Sequence, residues 1–366
     1  MSAAAEPRAQ AARRGTRAAP GVRRLALLGT GTVGSAFIAR YRRLIDKGLA
    51  LPQVAWMANS RATRTCAGTD LLEALRQLNI AARRERAVQG WAEAEALQAG
   101  DIVVDATASE LVADWHAEWL ARGVSVVTAN KLGQGALLGR AQAIGDAQCD
   151  TGAHYGDSAT VGAGLPLLRS VRGLVAGGDH IHAIEGVLSG SLAWLFHRFD
   201  GARPFSALVR DAAAAGYTEP DPRIDLSGED VRRKLLILAR AAGVPLHADQ
   251  VQMDSLVPAA LAAVPLDALD ARLDLLDAPL AERLQAAHAQ GHCLRFVGRF
   301  DAAGASVGLR ALPVDHPLAG GGGTDNRVAI SSDRYDVQPL LIQGPGAGAD
   351  VTAAALLDDV LRISVG

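Results

Sequence analysis

The sequence predicts an α/β protein, a doubly wound parallel sheet followed by an α+β unit, on three observations. Short apolar runs of strand length alternate with helical patterns through the amino-terminal third. A glycine-rich turn joins the first run to the first helical pattern. Past about Asp150 the regular alternation gives way to mixed strands and helices.

Residues 25–28 form the first apolar run, Gly29-Thr30-Gly31-Thr32-Val33-Gly34 the turn, and residues 35–45 the helix. In that setting Gly29 permits the turn, Gly31 lets the backbone approach a pyrophosphate, and Gly34 lets helix and strand pack closely. The phosphates would face the helix N-terminus together with Thr32 and Val33. Such a turn alone says little. Further strands are expected at 53–57, 101–106 and 124–128, with a helix over 111–122, and this repetition makes the sheet one of the Rossmann type.

Beyond it, strands are expected at 182–188, 294–300, 306–312 and 327–332, and helices at 163–175, 205–215 and 228–242. Residues 265–291 read as an Ala/Leu-rich helix at a far edge. From residue 340 an apolar run, the turn Gly344-Pro345-Gly346-Ala347-Gly348 and a helix over 351–363 are expected to return to the first domain. The dinucleotide-binding domain is therefore assigned to 22–150 and 340–366, and the second domain to 151–339. Residues 1–21, rich in Ala and Arg with Glu6 as the single acid, read as a disordered tail, although an organelle transit peptide has similar composition.

Charge is nearly balanced, with Lys+Arg 37 against Asp+Glu 39, which gives no sign of a nucleic-acid or membrane partner. Cys66, Cys149 and Cys293 lack disulfide or zinc spacing, and the chain has neither an apolar run of spanning length nor a secretory signal; a reducing, cytoplasmic location is expected. Arginine is abundant, yet the only lysines are Lys47, Lys131 and Lys234. An ammonium releases its proton more readily than a guanidinium, so the three deserve inspection for acid–base work. Lys47 precedes Gly48 at a helix end and reads as a surface residue.

The densest chemistry lies between Gly216 and Arg240. Pro220 and Pro222 hold Glu219 and Asp221 on a rigid extended loop. Ser227 is expected to cap the next helix in a capping box with Asp230, and Lys234 lies one turn on, over Asp230. A cap plus a surface ion pair would account for that spacing without any catalysis. At the end of the second strand Ala58-Asn59-Ser60-Arg61 lacks the acid that would hold an NAD ribose, and Arg61 or Arg64 would suit a 2′-phosphate, so NADP(H) is favoured over NAD(H).

The runs Ala159-Thr160-Val161-Gly162-Ala163-Gly164-Leu165-Pro166, Glu185 to Ser191, and Gly216 to Lys234 closely resemble homoserine dehydrogenase, as do Thr128-Ala129-Asn130-Lys131 and Gln343 to Gly348, in the same order. The resemblance extends from about Val22 to Ile363 and is strongest to the dehydrogenase half of bifunctional aspartate kinase–homoserine dehydrogenases. It implies interconversion of L-homoserine and L-aspartate 4-semialdehyde, on the way to threonine, methionine and isoleucine, and a homodimer formed through the substrate-binding domain. It implies Glu219 and Asp225, with the backbone near Ser189, Gly190 and Ser191, as the substrate's holders. Lys234 and Lys131 are the candidates for proton exchange, with Asp230 positioning Lys234. Thr107 and Ser109 would line the nicotinamide side, and Gly348 would approach the cofactor. Some relatives bind a monovalent cation, Na+, on carbonyls corresponding to Val161, Ala163 and Leu165; here Ser158 replaces the expected acid, leaving Asp157 as a substitute. Two rivals are a semialdehyde dehydrogenase, which needs a cysteine nucleophile such as Cys149, and a nucleotide sensor without chemistry.

Overall fold

The computed structural model describes residues 23–82, 93 and 95–365; the expected tail over 1–21 lies outside them. In the first unit, β1 (Arg24–Leu28), α1 (Thr32–Asp46), β2 (Gln53–Ala58), β3 (Thr63–Thr65), α2 (Leu71–Ile80), β4 (Ile102–Asp105), α3 (Glu110–Asp114), α4 (His116–Ala121), β5 (Ser125–Thr128), α5 (Leu132–Gly135), α6 (Leu138–Thr151) and β6 (Tyr155–Gly156) follow in order. The sheet runs β3-β2-β1-β4-β5-β6 and is parallel except for the β2–β3 edge pair. β1 is apolar at successive positions because both its faces are covered. Leu25 and Leu27 pack with Phe37 and Ile38 on one side, and Ala26 and Leu28 with Trp119 and Leu120 on the other.

The expected helix over 111–122 is two helices broken at Trp115. α2 and α6 were not anticipated. α2 is announced by Asp70, whose carboxylate accepts from the Leu72 and Glu73 amides at 2.8 and 3.3 Å.

The second unit comprises α7 (Leu167–Ala176), β7 (Ile181–Val187), α8 (Gly190–Arg198), α9 (Phe205–Ala214), α10 (Arg223–Leu226), α11 (Glu229–Ala241), β8 (Val251–Met253), α12 (Ala259–Ala262), α13 (Asp277–His288), β9 (His292–Asp301), β10 (Gly304–Pro313), β11 (Asp325–Ser332) and β12 (Leu340–Pro345). Its sheet runs β12-β11-β7-β9-β10-β8, antiparallel except for β8 beside β10. One face is buried: Ile184, Phe296, Phe300, Val328 and Ile330 pack against Leu192, Leu235 and Leu284 of α8, α11 and α13.

Three expectations shift. α7 starts at Leu167, after the left-handed Gly162 and Ala163 and after Pro166, because that backbone cannot continue a helix. Residues 265–291 are not one helix: 3-10 turns at Leu266–Ala268 and Asp270–Leu276 precede α13. The boundary expected at 340 falls later, since β12 pairs with β11 in the second sheet. Of the segment from residue 340, it is α14 (Ala349–Val365) that packs on the first unit, where Leu356, Leu357 and Val360 join the cluster of Leu25 and Phe37.

Candidate functional site

The glycine turn has the geometry its residue types suggest. Gly29 has φ +91°, and a Cβ there would lie 2.7 Å from the Ala106 carbonyl; a Cβ at Gly34 would lie 1.8 Å from the Gly29 carbonyl. Gly31 faces open space, and α1 begins there without a side-chain cap or a first-turn acid, so its first amides have no side-chain partner among the described residues. A cleft of about 480 Å³ lies over this end, lined by Thr30, Gly31, Thr32, Asn59, Ser60 and Arg61 among others. Val33 packs inward on the helix. The Asn59 amide donates to Thr30 Oγ1 and the Leu78 carbonyl and accepts from the Arg61 and Ala62 amides, so it shapes the cleft rather than waiting for a ligand. Arg61 reaches the Asn79 carbonyl at 2.9 Å from the cleft's rim. Arg64 lies on β3, outside the residues that line the cleft.

The loops after β4 and β5 rest on one buried carboxylate that sequence reasoning did not single out. Asp105 accepts from the Thr107 amide at 2.8 Å, the Asn130 side-chain amide at 3.0 Å and His116 Nε2 at 2.9 Å. His116 Nδ1 meets the Tyr155 hydroxyl at 3.0 Å. Asn130 also donates to the Ser109 carbonyl, and Ser109 caps α3. Thr107, Ser109 and Lys131 thus stand on a common, fully bonded floor. The available signal was an aspartate closing the apolar run Ile102-Val103-Val104.

From Lys131 a polar chain crosses into the second unit. Lys131 Nζ lies 3.4 Å from Asp230, and Asp230 lies 2.8 Å from Lys234 Nζ, which donates to the Leu188 carbonyl at 2.7 Å. The Lys234 side chain is 8% exposed, against 33% for Lys131. Burial works to raise the Asp230 carboxyl, but Lys234 and then Lys131 outweigh it and hold the group well below the usual carboxylate range. Ser227 does not form the expected capping box. The N-cap of α11 is Gly228 in a left-handed conformation, and Asp230 serves the two lysines instead of a cap.

Directly after Leu188, Ser189 caps α8 through the Leu192 amide, and its hydroxyl meets that of Ser191 at 2.9 Å. Ser191 donates to Asp225 at 2.7 Å, and the other Asp225 oxygen accepts the Glu219 amide at 2.8 Å. At Gly190 a Cβ would press on the Thr324 carbonyl at 3.2 Å. Glu219 is exposed, and its carboxylate has no ion-pair partner among the described residues. Asp221 is committed to Arg223. Thr218 Oγ1, a neighbour in sequence, is buried without a hydrogen-bond partner among the described residues, as a polar atom reserved for a ligand would be. The cluster offers carboxylates for an ammonium and, for an oxygen, two ammonium groups of which that of Lys234 is buried.

The carbonyls of Val161, Ala163 and Leu165 lie on a loop where Gly162 and Ala163 have φ 71° and 49°. Leu165 already accepts from the Leu167 amide, and both Asp157 oxygens are bound by Arg172. With Asp157 neutralised and Asp359 engaged by Ser158, the acid left beside the loop among the described residues is the exposed Asp358, and the loop is a poor fit for a cation. Gly348, at φ +119°, is exposed immediately before α14. Cys149 is exposed on α6, and burial pushes the Cys66 thiol up to about 11, which makes it a poor nucleophile at neutral pH.

A family model for homoserine dehydrogenase matches residues 166–361, and one for the homoserine dehydrogenase NAD binding domain matches residues 29–155. The chain is 42% identical over 349 residues to bifunctional aspartokinase/homoserine dehydrogenase 2 of Escherichia coli (strain K12), which covers 93% of this chain and 43% of that protein. It is thus less than half the length of that relative. It is 38% identical over 274 residues to homoserine dehydrogenase of Paracoccidioides brasiliensis (strain Pb18), covering 72% of this chain and 74% of the other. The crystal structure of a Candida auris protein of unknown function has a TM-score of 0.81 to it at 33% identity, covering 93% of this chain and 98% of that one.

Proposed function

The chain belongs to the homoserine dehydrogenase family, and from that premise we propose that it interconverts L-homoserine and L-aspartate 4-semialdehyde with a nicotinamide cofactor. The observation that carries this reading is the unbroken polar chain from Lys131 through Asp230 and Lys234 to Leu188, continued by Ser189, Ser191, Asp225 and Glu219. It puts acid-paired ammonium groups at one end and carboxylates at the other, as a zwitterionic amino-acid alcohol requires.

The cofactor, when bound, supplies or accepts the hydride at its nicotinamide C4. Gly31 and the open start of α1 take its phosphates, Gly34 keeps the helix seated, and the Asp105 floor fixes Thr107 and Ser109 on the nicotinamide side. Gly348, just before α14, would approach the bound cofactor. Glu219 and Asp225 hold the substrate ammonium. Lys234 Nζ has two hydrogens directed to Asp230 and Leu188, so its third is left for the substrate oxygen. Lys234 is accordingly the proton donor in the reducing direction, and Lys131 the second cation that steadies the oxygen's negative charge.

NADP(H) is the preferred cofactor on this reading, because Arg61 lies on the rim of the cleft and the end of β2 carries no acid. A cytoplasmic homodimer completes it, paired through the face of the second sheet opposite Ile184 and Phe300, which carries the exposed Arg299 and the half-buried Glu185 and Ser331. No helix among the described residues is long and apolar enough to cross a membrane. The test is a spectrophotometric assay with homoserine, run separately with NAD and NADP, on wild type and Lys234→Ala. Wild type is expected to turn over, faster with NADP, and the variant to lose about 10²–10⁴-fold in kcat while its cofactor affinity holds. Wild-type protein that binds cofactor but leaves homoserine unchanged would sink the assignment.

A further inference from the structure

Arg240 belongs to none of the groups that touch substrate or cofactor, yet it joins the two segments that carry the lysines. Lys131 immediately precedes α5, and Asp230 and Lys234 lie on α11. These helices meet at three points. At one end Lys131 pairs with Asp230. In the middle Gly135 lies so close that a Cβ there would be 2.7 Å from the Arg233 carbonyl and 3.1 Å from Ile237. At the far end Arg240 donates to the carbonyls of Gln134 and Ala136, the latter at 3.0 Å, and to Leu246 at 2.9 Å. Arg240 has no carboxylate partner among the described residues, and every hydrogen bond of its guanidinium ends on a backbone carbonyl. A charged group held partly from water without a counter-ion is costly unless those bonds matter. Burial brings it down to about 10, still a cation at neutral pH.

We propose that Arg240 is a positioning residue for the reaction: it fixes the segment after Lys131 against α11 and so sets the spacing of Lys131, Asp230 and Lys234 across the two units. The inference rests on the proposed dehydrogenase reading. Displacements of about 1 Å between reacting groups can cost on the order of 10²-fold in rate, and Arg240 controls such a displacement without facing the reactants. The cleft for the cofactor's phosphates lies at β1 and α1 and includes neither helix, so that grip on the cofactor does not depend on Arg240. A cavity of about 320 Å³, lined by Gln134, Leu138, Arg172, Ile237, Arg240 and Val244 among others, opens beside the guanidinium. It gives a small ion access to this place.

Arg240→Ala tests the proposal through kcat, cofactor affinity and hydrogen exchange of residues 131–137. The expected result is a fall in kcat of about 10–10²-fold, NADPH affinity within about twofold of wild type, and faster exchange confined to that segment. Added guanidinium chloride at non-denaturing concentration should restore part of kcat by entering the cavity, whereas equal sodium chloride should not. Should Arg240→Ala fail to fold, Gly135→Ala separates the same helices with Arg240 intact and is expected to give the same kcat loss and local exchange. Unchanged kcat in whichever variant folds, or a loss matched by an equal loss of cofactor affinity, would overturn the proposal. An inactive wild type would instead defeat the dehydrogenase reading, and the exchange of residues 131–137 would still decide whether Arg240 fixes that segment.

Discussion

His116 is fully buried between Tyr155 and Asp105, both hydrogen-bonded to its ring, so the side chain bridges two groups that are themselves buried. Burial, then the carboxylates of Asp157 and Asp105, push the Tyr155 phenol well above its ordinary range, so it stays protonated and can donate to Nδ1. That arrangement leaves Nε2–H for Asp105. His116→Leu fills the space but strands a hydroxyl and one lone pair of a buried carboxylate, and should cost about 2–4 kcal/mol in urea unfolding; a loss under about 0.5 kcal/mol would mean that water or Asn130 takes over. Asp230 makes a second prediction. Its carboxyl is held below the usual range, so its contribution to stability is fully present above the unfolded value near 4 and is lost as pH falls further. The stability difference between wild type and Asp230→Asn should therefore stay flat from about pH 9 to about pH 5 and shrink only below about pH 4. Shrinkage between about pH 8 and 6 would assign the linkage to another group. The sequence marked Asp230 and Lys234 through their spacing, but not Asp105 or His116, because a buried polar network is defined by what surrounds it in space.

At the scale of elements, Gly31 at the cap of α1 and Gly34 in its first turn have opposite requirements. A methyl at Gly34 collides with the Gly29 carbonyl, whereas one at Gly31 meets nothing within 4 Å. Gly34→Ala should destabilise the protein by at least about 2 kcal/mol. Gly31→Ala should leave unfolding within about 0.5 kcal/mol of wild type and still weaken cofactor binding about tenfold or more, because its methyl fills the space a pyrophosphate needs; equal affinities by fluorescence titration would contradict this. The glycine spacing was legible since it reports backbone approach. Apolar periodicity likewise made the parallel strands legible, being buried on both faces. It failed at Trp115, where the pattern continues across a break between α3 and α4. It also missed α8, whose residues Leu192, Ala193, Trp194, Leu195 and Phe196 are buried all round and so show no face. β12 was misassigned because the last apolar run and the last helix are adjacent in sequence but belong to different sheets' cores.

On the scale of the whole molecule, α14 makes the first unit depend on the end of the chain. Leu356, Leu357, Val360 and Ile363 are buried beside β1 and α1, and Asp359 accepts from the Ser158 amide and hydroxyl at 3.0 and 2.9 Å. Burying four such side chains contributes on the order of 6–12 kcal/mol, comparable to the roughly 5–15 kcal/mol by which a domain is stable at all. The first unit therefore lacks one cover of its sheet until the second unit's chain has been traversed, and the two units should unfold together rather than in sequence. A chain ending at Pro345 keeps every strand of both sheets, yet it should bind a hydrophobic dye, lose the cooperative transition of the first unit and fail to retain cofactor. Adding a peptide of residues 349–365 in trans should recover part of the binding, at a concentration set by the lost covalent link. A truncated protein that still melts in one transition within a few degrees of the full chain would show that α14 merely decorates a sheet already closed without it.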